Sequence, residues 1–547
     1  MQQLNSRTEL SNDQWEALIA IHRTLLHEHH DFFLASQHPS ATERLRKLAS
    51  EYGMPARMWR HGVHSFLELL RHRLPGSLEH MISFIYTAYS MMTLLLESVP
   101  AFVNIWIECL GDLARYRMAV EEVDLHDREN WAEVARYWYR MAADKSPNTG
   151  RIQHHSAVLA RPNILAQLFY YSKSLVCVEP FANSRESILL LFNPLLEEEQ
   201  QQQKAIQQKQ HKKQQRPKQQ RPYPVVLSSF VKAHGIMFKK QSVLSFLQHS
   251  LDFLTSLPQH IGRTGERFRE QGVHISCTNI ASLFINDAAG KLKASFSRIP
   301  VESRMSAARI YWSSCSRSIN PLVSLLNTVP ASFETKFDDT SLNARDYTAY
   351  MSMHTLSLLL RQIGDKNVLP AVHVSLAFLF TLSLTPEAMH MFEPLIPFRE
   401  LVTFLNTLNR QRVSESRLAS DDFPLPECWD VTGTYHLPED FDLRGLDWTR
   451  PYFPDNHFVA DELAGDEERM LEVPIAALVR AERCLWLGCR LASMDRWFTY
   501  DPALRRFEIK DLVPQLERCS ERAAFFRTAA AVLAKMEPSS SVTELPA

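Results

Sequence analysis

The chain has 547 residues, 45% hydrophobic and 22% charged, with a formal net charge of −2. That length exceeds what one hydrophobic core usually serves. The near-neutral balance excludes a protein held on nucleic acid by its overall charge, leaving only local patches for that role. Glycine is scarce, 15 residues in all. A hairpin-rich β-protein needs more positive-φ turns than that supplies, so long helices joined by short loops are expected. The eight cysteines are scattered without a C-x-x-C pair. They read as small buried hydrophobes in a reducing compartment, nucleus or cytoplasm, and no metal site is expected. The N-terminus MQQLNSRTELSNDQWEALIAIHRTLL lacks the layout of a signal peptide.

In chain order, residues 55–73, PARMWRHGVHSFLELLRHR, open with Pro55, which suits a first helical turn. Trp59, Val63, Phe66, Leu67 and Leu70 then fall on one apolar stripe, with Arg57, Arg60, His64 and Arg71 largely off it. Further helices run through LEHMISFIYTAYSMMTLLLES and FVNIWIECLGDLARYRMAV. Residues 131–192 hold a weak repeat: Tyr139, Ala142 and Pro147, then Tyr171, Ser174 and Pro180. An aromatic, a small residue one turn on and a closing proline follow tetratricopeptide logic. These elements define an N-terminal domain over 10–196.

From Lys204 to Arg221 seven lysines or arginines stand among glutamines with no acid. Residues 197–224 are therefore expected to be a disordered basic loop. It reads either as a solvated insertion or as a tether for RNA or DNA phosphates through Lys209, Lys212, Lys213, Arg216, Lys218 and Arg221. Helical patterning resumes over 225–413. Its most apolar run, LPAVHVSLAFLFTLSLT at 369–385, is expected to be a buried core helix rather than a membrane span. Residues 414–457 read as an irregular acidic linker in which Glu439, Asp440 and Asp442 are solvated. C-terminal helices follow over 458–536, then a disordered tail over 537–547. No phosphate-binding loop and no nucleophile elbow appears, and His27 and His30 in HEHH read as polar surface, so a non-enzymatic protein without cofactor is expected.

The blocks CLGDLARYR, YRMAADKSPNTGRIQHHSAVLA, FYYSKSLVCVEPFANSRESILLLF, FVKAHGIMF, LPAVHVSLAFL and LPEDFDLRGLD, in this order, resemble those of the Est/SMG adaptor proteins of telomerase and nonsense-mediated mRNA decay. The resemblance spans most of residues 10–540. It implies an all-α fold: a 14-3-3-like, tetratricopeptide-like helical repeat domain followed by a helical hairpin domain, here without the PIN nuclease of some relatives. In 14-3-3 proteins a Gly-Asp-x-x-Arg-Tyr segment sets an arginine and a tyrosine on a phosphoserine, and Gly111–Tyr116 has that form. The resemblance thus implies Arg115 and Tyr116 as phosphate ligands, with a further cation from Arg60 or His64 on the facing helix. A guanidinium grips phosphate through two parallel charge-assisted bonds. Where many relatives have an asparagine that holds the peptide backbone, this chain has His154 and His155, and His155 is counted with the site. Taken without the resemblance, Glu108, Asp112 and Arg115 also fit a surface ion-pair ladder.

The function so implied is a decay adaptor that docks a phosphorylated, helicase-type partner, with a related adaptor as a further partner. The alternative is a telomerase-associated protein that binds RNA or single-stranded telomeric DNA. No membrane role is expected.

Overall fold

The computed structural model describes residues 10–197, 223–287, 290–297, 304–315, 344–408, 413–425, 436–455, 457–458 and 475–519. The chain divides into two compact units, Met1–Pro147 and Asn148–Ala547. The first unit opens on α1 (Asn12–Gln37), whose start is fixed by a capping box: Ser11 accepts from the Gln14 amide while the Gln14 side chain accepts from the Ser11 amide. After α2 (Glu43–Glu51) the chain enters α3 (Met54–Arg57), a π-helical segment Met58–His64, and α4 (Ser65–Arg71). Three long helices follow: α5 (Leu78–Ser98), α6 (Val103–Val120) and α7 (Leu125–Lys145). Val63, Phe66, Leu67 and Leu70 are fully buried with Phe84, Trp106 and Leu110. A fully buried side chain of this kind contributes about 1.5–3 kcal/mol.

The π segment corrects one detail of the expected stripe. Its wider turn admits an extra residue, so Met58 points into the core while Trp59 is only partly covered. The Gly62 carbonyl faces buried His22, whose Nδ1 lies 2.8 Å away. A carbonyl only accepts, so Nδ1 carries the proton.

The second unit begins with α8 (Gly150–Leu159), α9 (Ile164–Val176) and α10 (Ser184–Ser187), then a helical stretch over 189–197. It continues through α11 (Val225–Phe238), α12 (Val243–Thr264), α13 (Phe268–Ile285), α14 (Ala344–Leu360), α15 (Leu369–Ser383), α16 (Phe398–Leu408), α17 (Pro438–Leu443) and α18 (Ala476–Ala492). Every residue of α15 is buried, as its continuous apolar run led one to expect, and α13, α14 and α18 pack around it. The stretch Lys366–Ser383 is apolar enough to cross a membrane, but 83% of it lies buried inside the protein.

Two further departures concern the domain boundary and a pair of strands. The boundary between units falls at Pro147 rather than at 196, because α9 packs on α13 and shares its core. A two-stranded antiparallel hairpin, β1 (Phe498–Asp501) with β2 (Arg506–Ile509), sits among the helices, Phe498 opposite Ile509. Cys109, Cys177, Cys277, Cys315, Cys484 and Cys489 are free thiols, and all but Cys315 are buried.

Candidate functional site

In the first unit Gly111 lies where α6 meets α7. A β-carbon there would stand 2.9 Å from the Tyr139 ring, so glycine is what lets that ring approach. The Tyr139 hydroxyl donates to Asp112 Oδ1 at 2.6 Å. Arg115 donates from Nη2 to the same oxygen at 2.9 Å and from Nε to the Tyr139 hydroxyl at 3.3 Å. Burial opposes the guanidinium charge, but Tyr139 and Asp112 more than offset this and raise the Arg115 pKa above its ordinary value. The Gly-Asp-x-x-Arg-Tyr segment thus builds a fixed arginine, with its side chain 25% exposed.

Tyr116 is committed differently. Its hydroxyl donates to Glu68 Oε1 at 2.6 Å, and Arg71 holds Glu68 Oε2 from Nε at 3.1 Å and Nη2 at 2.7 Å. Burial and this bond to Glu68 raise the Tyr116 pKa. Burial alone would raise Glu68, yet the hydrogen bonds from Tyr116 and Arg71 keep its pKa below the usual carboxylate value. The exposed His64 ring packs edge-on against Tyr116, centroids 6.3 Å apart. Arg60 is exposed one turn earlier on the π segment. The structure therefore brings Arg115, Tyr116 and His64 together with Glu68, which the sequence pattern did not single out. The available signal was its spacing on the same helix, four residues after His64 and three before Arg71. His155 stands on α8, in the other unit.

In the second unit the expectation of a solvated 414–457 linker is corrected where that segment is described. Residues 438–443 form α17, with Glu439 and Asp440 buried. Arg480 holds Glu439 through Nε at 2.6 Å and Nη2 at 3.0 Å, and His373 Nδ1 lies 3.0 Å from Glu439 Oε1. Arg483 Nη1 holds Asp440 at 2.7 and 2.6 Å, and His457 Nε2 stands 3.5 Å from Asp440. The physical reason for the correction is pairing: two carboxylates leave water only when two guanidiniums meet them. Lys173 adds a bond from Nζ to the Phe441 carbonyl at 3.2 Å, tying α9 to α17.

The carboxylates of this α17 keystone lie within residues 135–453, the segment matched by a family model described as the Est1 DNA/RNA binding domain, while Arg480 and Arg483 lie beyond it. The chain belongs to the Est1 DNA/RNA-binding domain family. It is 35% identical over 86 residues to the Telomerase-binding protein EST1A of Danio rerio, an alignment covering 15% of this chain and 5% of that protein's length. A chain from the crystal structure of Est1 and Cdc13 superposes with a TM-score of 0.51, covering 92% of this chain and 96% of that one at 10% identity, a likeness of fold.

The Est1-family match takes in α8 to α17 and the glutamine-rich sequence between 197 and 224. Lys209, Lys212, Lys213, Arg216, Lys218 and Arg221 lie outside the described residues. Among the described residues no group of three or more histidine, cysteine, aspartate or glutamate side chains is arranged to hold a metal.

The keystone of this Est1-family domain makes an acid-stability prediction. Burial would raise Glu439, but Arg480 and His373 outweigh it and hold it down to about 2; Asp440 lies lower still, with Arg483 its main support. A carboxylate depressed in the folded state stabilises fully above its unfolded pKa and loses that contribution as pH falls through the folded value. The expected result is a urea midpoint that drops steeply between about pH 4.5 and pH 2, with Glu439 alone contributing on the order of 3 kcal/mol. Urea titrations at a series of pH values check this. Asp442, which burial pushes up to about 7, works in the opposite direction: it binds its proton more tightly folded than unfolded, so it adds stability as pH falls from about 7 through the ordinary carboxylate value and partly offsets the loss.

Proposed function

We propose that this protein is a non-enzymatic adaptor of the Est1 type that binds single-stranded RNA or telomeric DNA through its second unit and works with telomerase in the nucleus. The observation that carries the reading is the Est1 DNA/RNA-binding domain match over 135–453. The α17 carboxylates of that segment are tied to the helical core by Arg480 and Arg483. The telomerase-binding relative and the fold shared with a chain from the Est1 and Cdc13 structure support the same setting. The test is a pull-down from cell extract divided between RNase, phosphatase and no treatment. Loss of partners on RNase treatment supports the reading; full retention counts against it.

A second reading is favoured by one specific observation, the convergence of Arg115, Tyr116 and His64 in the first unit. In this reading the α6 and α4 face docks a phosphorylated partner, a decay helicase among the candidates, with Arg60 as a further contact and a related adaptor as co-partner, in nucleus and cytoplasm. Tyr116 must then exchange its Glu68 bond for the phosphate. Arg115→Glu is expected to weaken phosphopeptide binding by a factor of about 100 or more, since it removes a charge-assisted pair and adds repulsion. Calorimetry with a phosphoserine peptide checks this, and an unchanged affinity in a folded variant rules the assignment out.

A further inference from the structure

We infer that Glu68 is a built-in competitor for the anion at the Tyr116 face, and that it makes this face admit a phosphoserine dianion while rejecting an aspartate or glutamate side chain. The inference rests on the phosphopeptide reading above and adds what regulates that site. Glu68 already uses donors that a bound anion needs. Its Oε1 accepts from the Tyr116 hydroxyl at 2.6 Å, and its Oε2 accepts from Arg71 Nε at 3.1 Å and Nη2 at 2.7 Å. A hydroxyl and a guanidinium converging on the oxygens of one anion form a donor set that suits a phosphate monoester. His64, one turn before Glu68, acts favourably on the same carboxylate. The anion in place is the chain's own.

The geometry also lets the competitor leave. Glu68 reaches Tyr116 from α4 across to α6, whereas Arg71 stands on its own helix, three residues on. The side chains of Glu68 and Arg71 are 27% and 53% exposed. The carboxylate can therefore turn to solvent with Arg71 still attached, and only the Tyr116 bond breaks. Arg115 takes no part in holding Glu68: its guanidinium carbon lies 5.3 Å from the centre of the Tyr116 ring, and Asp112 and Tyr139 fix it there. Arg115 and the freed hydroxyl are then left for the incoming group. Charge decides which group can take the place. An incoming carboxylate carries the same single charge as Glu68, so the exchange gains little. Phosphoserine brings about −1.5 to −2 charges and three acceptor oxygens, so it gains more than Glu68 loses. If Glu68 were only a tie between α4 and α6, its removal would loosen Tyr116 and weaken phosphate binding.

The test is binding of the full chain to immobilised degenerate peptide pools with phosphoserine, glutamate or serine at the centre. The parent is compared with Glu68→Gln and with the control Glu79→Gln, an exposed carboxylate of α5. A site that is closed most of the time binds more weakly by the fraction of open molecules. Glu68→Gln keeps the shape but not the charge, so it should bind the phosphoserine pool about tenfold tighter or better. It should also take up the glutamate pool, which the parent leaves unbound. Glu79→Gln should stay within about twofold of the parent. Glu68→Asp draws the carboxylate back by one methylene; it should shift the phosphoserine pool in the same direction and carries the test where Glu68→Gln does not fold. A parent that binds phosphoserine, with equal or weaker binding in the folded Glu68 variants, overturns the competitor alone, as does an equal gain in Glu79→Gln. A parent that takes glutamate as well as phosphoserine overturns the discrimination. If neither the parent nor a folded Glu68 variant binds the phosphoserine pool above the serine pool, the phosphopeptide reading fails with it.

Discussion

Arg483→Ala is expected to destabilise the second unit by about 3–5 kcal/mol. Both partners of the Arg483–Asp440 pair are fully buried, and the guanidinium also covers the Phe423 ring at 4.8 Å. The cost comes from what remains. Asp440 would be left without its guanidinium in a site closed to water, and His457 at 3.5 Å, whose pKa burial lowers, is no substitute for that charge. The contrast with Arg483→Met/Asp440→Asn makes the prediction specific. That double variant removes both charges, so it should recover most of the loss even though no ion pair is restored. Urea unfolding followed by the emission of buried Trp448 and Trp486 measures both. If the single variant loses under about 1 kcal/mol, the range of exposed pairs, then α17 is not locked as described.

Gly150→Ala should be comparably severe. A β-carbon at 150 would lie 2.4 Å from the Ser174 carbonyl oxygen and 2.9 Å from both the Glu179 oxygen and the Phe181 nitrogen. All three are backbone atoms, which cannot swing aside as a side-chain tip can. They also belong to a closed network. The Gly150 amide donates to the Glu179 carbonyl at 2.9 Å, and Ser174 Oγ donates to the Gly150 carbonyl at 2.6 Å. Making room for one methyl group therefore breaks the junction of α8, α9 and the segment after it. A loss of about 3 kcal/mol or more is expected, at or above the upper end of ordinary overpacking. Thermal unfolding of the full chain checks it. Gly76→Ala is the control: its added β-carbon meets one atom, the Arg73 oxygen, at 3.7 Å, and it should stay within about 0.5 kcal/mol of the parent.

What could be read from the sequence follows the range of the interactions involved. Val63, Phe66, Leu67 and Leu70 are legible because helix periodicity is local, and α15 because an unbroken apolar run has nowhere to go but a core. Trp59 packs against the same core as the rest of its stripe but is only partly covered, because a π turn changes the period without changing composition. Glu439 and Asp440 look like solvated surface until one sees Arg480 and Arg483, some forty residues later. The usable signal was there: Arg480 and Arg483, one turn apart in a mostly apolar helix, AALVRAERCLWLGCRLA. The hairpin at 498–509 escapes a composition argument, because scarce glycine speaks against strands, yet Arg505 takes the positive φ itself. At the candidate phosphate site the motif identifies Arg115 and Tyr116. Spacing on one helix already offered Asp112 as a partner for Arg115, but it could not reveal that Tyr139 and Glu68 occupy the remaining polar groups, because those partners come from packing between helices.

The central claim, that this Est1-family chain binds single strands, is tested most directly by the salt dependence of binding. Purified full chain is titrated into labelled oligouridine and telomeric-repeat DNA across roughly 50 to 200 mM salt. The account predicts measurable binding whose logarithm falls linearly with the logarithm of salt, with a slope of about −2 or steeper, the signature of three or more neutralised phosphates on a single strand. No binding at the lowest salt, or a slope near zero, would contradict it.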